Sequence, residues 1–409
     1  MSDSGGMPAD QENPEPEAPS GEPDWFRRVT GIGSSLGQSL MVPALALVTA
    51  LVIGAVIIAV TDVDAWRAWT DESPGEALSM MWASITDGYK ALFRGSLGSR
   101  NAISETLFAA TPLIIAGLAV AVGFRAGLFN IGVNGQMHMG GLVAIYLGFT
   151  LSLPAVIHVP VVLLGAVIGG AIWGGIPGLL RAKTGAHEVI TTIMLNFVAL
   201  FFVDYVLTTS FYQEQGRLDP ISKPVDASAR LPRIFGGDFR VHLGFLIALA
   251  LVAFVYWLLF KSSIGFEFRA VGFNPDAARY AGMSVVAVFV AVMAVSGALG
   301  GIAGANQIIG LEPFRGTTNF AAIIGFDAIA LALLGRSHPV GVLWAGLLFG
   351  GLRAGGRAMQ GEAGIPIDLV LVVQALIIVL IAAPDLVRAL YRLKPEEAAA
   401  TQLTKGWDA

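Results

Sequence analysis

Three stretches of the chain set polar side chains among apolar ones, a pattern that is costly in hydrocarbon unless each group is paired or faces water. The first is GFRAGLFNIGVNGQMHMGG (123–141), where Phe129, Asn130, Asn134 and Gln136 stand among glycines. That spacing points to irregular backbone at membrane depth, tolerated only where it lines a cavity or is buried in protein. The alternative is a polar turn at the membrane interface. The second stretch is GAHEVITTIMLNFVAL (185–200). Glu188, Thr192 and Asn196 recur every four residues and share one helix face, which looks either into a lumen or onto a neighbouring helix. The third is GFDAIALALLGRSHPVG (325–341), in which Asp327 has no base nearby in sequence. It either caps a broken half-helix or touches a passing solute. The chemistry open to all three is solvation of a polar solute, not bond making.

Catalytic signatures are missing. The chain has no H-E-x-x-H, no G-x-S-x-G and no dinucleotide fingerprint on a strand–helix unit. His138, His158, His187, His242 and His338 are scattered without ligand spacing. With no cysteine, disulfides, thiolate metal sites and thiol nucleophiles are excluded. No cofactor or metal is expected. There is also no G-x-x-x-x-G-K-[ST], so any ATP that powers this protein must be hydrolysed by another subunit.

The elements that position these residues must be membrane helices. Hydrophobic residues make up 55% of the chain and charged ones only 13%, more apolar surface than a soluble domain can hide. About ten runs approach the roughly 20 residues that a helical span requires: 41–60, 103–123, 135–153, 156–178, 187–209, 243–260, 285–309, 319–334, 338–355 and 367–383. The third and eighth look short or broken. The fold expected is an all-α integral membrane protein whose two halves show internal pseudo-symmetry. Gly297/Gly301, Gly300/Gly304, Gly346/Gly350 and Gly351/Gly355 form small-xxx-small pairs inside apolar runs, the spacing that lets helix backbones pack closely.

Residues 1–40 are expected to be a disordered acidic cytoplasmic tail, 41–390 the transmembrane domain, and 391–409 a cytoplasmic carboxy-terminal tail. The start is acidic and rich in Pro, Gly and Ser, a composition that cannot bury a core. Arg27 and Arg28 precede the first span, and Arg388, Arg392 and Lys394 follow the last. By the positive-inside rule both termini are cytoplasmic, which requires an even number of spans. Two long loops, 61–102 and 210–242, then lie outside. The net charge of −5 and the lack of a basic block give no sign of nucleic-acid binding.

One inner segment, KSSIGFEFRAVGFNPDAARYAGMS (261–284), carries its own helix signals. Asn274 suits a cap, Pro275 the first helical position, Asp276 the positive helix end, and Gly282 a terminator. Such a segment is either a docking device or a solvated connector.

At GLFNIGVNGQ (127–136), GAHEVITTIMLNFVAL (185–200), RAVGFNPDAARYAGMSV (269–285) and GFDAIALALLGRSHPVG (325–341), the chain resembles the permease subunits of bacterial ABC importers of the branched-chain amino acid/ribose type. It is most similar to their nucleoside-uptake branch, and the likeness runs over roughly 100–385. The resemblance implies a bacterial plasma-membrane permease that works with cytoplasmic ABC ATPases, a second permease subunit (identical or homologous) and an extracytoplasmic lipoprotein that binds a nucleoside. It further implies a translocation path along Phe129, Asn130, Asn134, Gln136, Glu188, Thr192, Asn196 and Asp327. ATPase coupling would fall to Glu267, Arg269, Gly272, Asn274, Pro275, Ala278, Arg279, Tyr280 and Gly282. Asn134 stands where the branch more often has Glu, and His187 where it more often has Asn, which bears on the substrate rather than on transport. The rival readings are a permease for ribose or galactose and an ion-coupled secondary transporter that uses Glu188 and Asp327.

Overall fold

Nine of the ten apolar runs lie largely within a helix, and the eighth is helical from Ile324, as expected where backbone polar groups find no water and bond within their own segment. The computed structural model describes residues 24–71, 73–321 and 324–393, with side chains from Met41 onward. In chain order the helices are α1 (Asp24–Thr61), α2 (Val63–Asp71), α3 (Pro74–Leu97), α4 (Arg100–Arg125), α5 (Val133–Thr150), α6 (Ala155–Thr184), α7 (Glu188–Leu207) and α8 (Leu243–Lys261). They continue as α9 (Ser263–Phe273), α10 (Pro275–Tyr280), α11 (Val285–Ile309), α12 (Ile324–Leu334), α13 (Pro339–Ala363), α14 (Ile367–Ala382) and α15 (Pro384–Leu390). Among the described residues α1, α4, α6, α7, α8 and α11 are each long and apolar enough to cross a bilayer, and α14 with α15 forms a pair bent by 91°. The protein is an all-α, multi-pass membrane protein.

The structure corrects two expectations about the amino-terminal third. The tail expected to be disordered through residue 40 is helical from Asp24. The Pro-rich composition stops at Pro23, and Trp25, Phe26, Val29, Ile32 and Leu36 keep helical spacing after it. Residues 1–23, and with them the acidic start of the tail, lie outside the described residues, as do Lys394 and most of the carboxy-terminal tail. The loop 61–102 is not a loop but α2 and α3. Ser73 caps α3 by accepting from the Glu76 amide, with Pro74 in the first turn. The side chains of Asp62 and Ser84 (2.5 Å) tie α3 to the end of α1.

The core is built where small residues let helices touch. α6 crosses α11 backbone to backbone: a methyl on Gly170 or Gly297 would overlap the carbonyl oxygen of the other, and one on Gly301 would overlap that of Ala166. Gly140 of α5 meets Gly301 at the same crossing, so three helices converge at one point. The small-xxx-small pairs therefore mark real contacts. α4, entirely buried from Ala110 to Gly123, runs through the middle of the bundle.

The long connection between α7 and α8 is stitched by main chain to the end of α11 and the segment after it. The amide of Ser222 donates to Gly316 O (2.9 Å), that of Val225 to Phe314 O (2.9 Å) and that of Leu231 to Ile309 O (2.8 Å). Asp226 N donates to Gly148 O (2.9 Å), fixing the same plate to the end of α5. His242, at the start of α8, accepts from Gly244 N through Nδ1 (3.1 Å). Burial, then the charges of Arg240 and Arg233, push its imidazole down to about 4. The unfolded chain therefore takes up a proton near the ordinary value of about 6.5 while the folded chain resists it. Stability contributed by His242 is complete above pH ~6.5 and drains away as pH falls towards 4. Thermal melts of the detergent-solubilised protein should show His242→Gln losing the part of the acid sensitivity that falls in this window; identical profiles would refute the assignment.

Candidate functional site

Between α4 and α5 the chain forms an elbow, residues 126–132, with no regular structure. It opens on a tight turn in which Gly127 takes a φ of +69°, a conformation natural only to glycine. From there the polar residues of the first stretch act as struts. Asn130 is fully buried; its Nδ2 donates to Ser296 Oγ of α11 at 2.7 Å and to Gln136 Oε1 at 3.1 Å, while its Oδ1 accepts from Gly132 N at 2.9 Å. Ser296 passes its own hydrogen to Ala119 O of α4 (2.5 Å). Satisfied in this way, a buried amide network rigidifies its surroundings.

The second stretch grips the elbow from the side. Glu188, Thr192 and Asn196 do share a face of α7, and all three are buried. Asn196 Nδ2 donates to Ile131 O (2.9 Å) and its Oδ1 accepts from Gly135 N (2.7 Å). Glu188 Oε1 accepts from Phe129 N at 3.4 Å, and its other oxygen sits 3.4 Å from Arg181 Nε. Thr192 turns its hydroxyl back to Glu188 O (2.7 Å).

Asn134 and Gln136 are not in irregular backbone, as the spacing had implied, but in the first turn of α5, which starts at Val133. The irregular stretch is shorter because Gly132 already initiates the helix, its carbonyl accepting from Gln136 N (3.0 Å). Gln136 packs against Gly174 and Gly300, close to the middle of α6 and α11, so α5 begins about halfway along those helices. There it meets the third stretch: a Cβ on Gly325 would stand 2.5 Å from Asn134 N. The starts of α5 and of the eleven-residue α12 thus face each other inside the bundle. Around this junction Asn134 Oδ1, His138 Nε2 and Trp173 Nε1 are buried without a hydrogen-bond partner, and the Phe320 ring lies 5.0 Å from that of His138, tilted by 49°. Buried polar atoms in native structures are rarely left so.

Asp327 lies in the first turn of α12 and pairs with Arg353 of α13. The base invisible in its sequence neighbourhood comes from a residue 26 positions on. Arg353, like Ser296, was missed because neither follows a periodic polar pattern, although an arginine inside GGLRAGGRAM (350–359) was a signal to be used.

The segment expected to dock is two helices. α9 buries Phe268 and Val271, while Phe266 and Phe273 are exposed, Phe273 by 83%. Asn274 caps α10 by accepting from Ala277 N (2.9 Å), Pro275 follows it, and Gly282 turns the chain at φ +86°. Arg279 pairs with Asp276 (2.8 Å), Ala278 is buried and Tyr280 is 94% exposed. Glu267 and Arg269 are half-buried on α9, the guanidinium resting over Phe260. No group of three or more His, Cys, Asp or Glu suited to a metal occurs among the described residues.

Residues 102–382 match the family model described as branched-chain amino acid transport system / permease component. The chain is 38% identical over 351 residues to the guanosine ABC transporter permease protein of Bacillus subtilis, spanning 85% of this chain and 94% of that one. It is also 38% identical over 319 residues (76% and 84%) to the glucose ABC transporter permease protein of Haloferax volcanii. With the nucleoside ABC transporter permease protein of Lactococcus lactis the identity is 36% over 326 residues (78% and 89%). No solved structure matches. A helical membrane bundle with a polar elbow at its centre, aligned with these permeases along most of its length, belongs to the branched-chain amino acid-type permease family and is an ABC-transporter permease subunit rather than an enzyme.

Proposed function

We propose that this permease carries nucleosides inward across the bacterial plasma membrane. The observation that supports this most directly is the junction of α5 and α12. Two helix starts, with their outward-pointing amide hydrogens, meet beside an unpartnered amide oxygen, an imidazole nitrogen and an indole N–H, with an aromatic ring alongside. That is donor and acceptor capacity plus a flat apolar surface, as a sugar bearing a heteroaromatic base requires. Phe129, Asn130, Asn134, Gln136, Glu188, Thr192, Asn196 and Asp327 belong to the translocation path or hold its walls, and Glu188 and Asp327 are path residues rather than ion-coupling sites.

In this reading both termini are cytoplasmic, α9 and α10 seat on the ATPase, a second permease completes the path, and a lipoprotein delivers the solute from outside. Glu267, Arg269, Gly272, Asn274, Pro275, Ala278, Arg279, Tyr280 and Gly282 form or shape the ATPase-facing surface. The sugar reading has one specific support, the likeness to a glucose permease. Uptake separates the two. Cells without their own nucleoside import, given this chain with its ATPase and binding protein, should accumulate radiolabelled guanosine. Excess unlabelled nucleoside should abolish that uptake and excess glucose should not. Glucose uptake indifferent to nucleosides would establish the sugar reading instead.

A further inference from the structure

Gly272 of α9 and Gly127 of the elbow touch backbone to backbone. A Cβ on Gly272 would stand 2.5 Å from Ala126 C and 2.8 Å from Gly127 N, and one on Gly127 would stand 3.0 Å from Gly272 O. No side chain lies between them to absorb a displacement, and packed interiors transmit strain. On one side of this contact is α9, anchored by buried Phe268 and Val271 but otherwise free on its outer face. On the other side the chain needs only four residues to reach Ile131. Over that distance it is held by Glu188 at the amide of Phe129 and by Asn196 at the carbonyl of Ile131. The α9–α10 segment is thereby tied to the polar face of α7 by continuous backbone and hydrogen bonds.

We infer that the Gly127–Gly272 contact is a positioning element through which movement of the α9–α10 segment resets the elbow, and with it the Glu188–Asn196 face of α7. The inference rests on the reading of α9 and α10 as the ATPase seat. Gly272 and Gly127 act through the elbow; neither touches solute. Their role is to make the contact stiff, which a side chain on either would prevent by forcing the backbones apart.

Because the chain has no native cysteine, a single thiol reports on the clamp. His187 is exposed beside Glu188, at the start of α7, and makes no capping bond. His187→Cys in the complete complex should change its rate of maleimide labelling when ATP is added. Gly127→Ala in that background, a change in the elbow and away from the ATPase seat, should still co-purify with the ATPase but lose the ATP-dependent change, and solute uptake should fall by roughly tenfold, the usual scale of an inter-site coupling. Gly272→Ala approaches the same contact from α9 and should lose the labelling change and the uptake in the same way if Gly127→Ala does not accumulate. A labelling response and uptake like those of the parent in either assembled variant would overturn the inference, leaving the contact as mere packing. Failure of both variants to fold would overturn it equally. Failure of the parent chain to bind an ATPase at all would instead sink the coupling reading beneath it. The labelling readout needs no knowledge of the solute, so it stands apart from the nucleoside assignment.

Discussion

Gly301→Val should leave almost no folded protein in the membrane. Its side chain would enter the crossing of α6 and α11, overlapping the Ala166 carbonyl and crowding Gly170. Neither a rotamer change nor a loop shift relieves this, because the atoms in the way are backbone in the interior of α6. Overpacking of a core costs about 1–3 kcal/mol where side chains can adjust, and here none can, so the cost should exceed that range. Helix association in lipid relies on such close packing, because lipid tails are as apolar as the helices themselves. Gly175, on α6 with open space around its Cα, is the control: Gly175→Ala should melt like the parent. Yield of monodisperse protein in detergent and its melting temperature decide the matter. A Gly301→Val protein that melts within a few degrees of the parent would show that the crossing is looser than described.

Arg353→Ala should be nearly as damaging, for an electrostatic reason. Asp327 and Arg353 are largely buried, with side chains 13% and 23% exposed, and each is the other's partner. Removing one member of a buried pair leaves an uncompensated charge and costs about 3–5 kcal/mol. Replacing both by apolar residues of similar size is often neutral, so Asp327→Leu with Arg353→Met should recover the folded yield. If Asp327 lines the path as proposed, uptake should not return with it, because a polar wall is lost. Recovery of both stability and uptake would make the pair a structural lock and remove Asp327 from the path.

These two sites also show what could be read in advance. The Gly301 crossing was visible as a small-xxx-small pair, and the α7 stripe as a four-residue period, because both are local regularities on one helix. The pairing of Asp327 with Arg353 was not visible, nor that of Asn130 with Ser296. A partner supplied by another helix leaves no periodicity, and its identity depends on how the bundle folds back. The boundary of α5 was misplaced because glycines and asparagines read as a turn, whereas tertiary packing against Gly174 and Gly300 holds Asn134 and Gln136 in the helix. α3 was legible and overlooked: Ser73, Pro74 and Glu76 are a capping box with proline in the first turn, but moderate hydropathy hid it beside stronger spans.

The main-chain stitching of the connection between α7 and α8 bears on how this protein can change over evolutionary time. Ser222, Val225 and Leu231 donate their amides, and Gly316, Phe314 and Ile309 accept through their carbonyls. Apart from Ser222, whose hydroxyl accepts from Gly316 N, and Arg230, which donates to Val225 O, this lattice asks little of its exposed side chains, except that proline stay away from its donors. The residues on the open face of that plate are therefore freer to drift, and with them the charge and shape of this surface, one side chain at a time, while the plate below keeps the same coordinates.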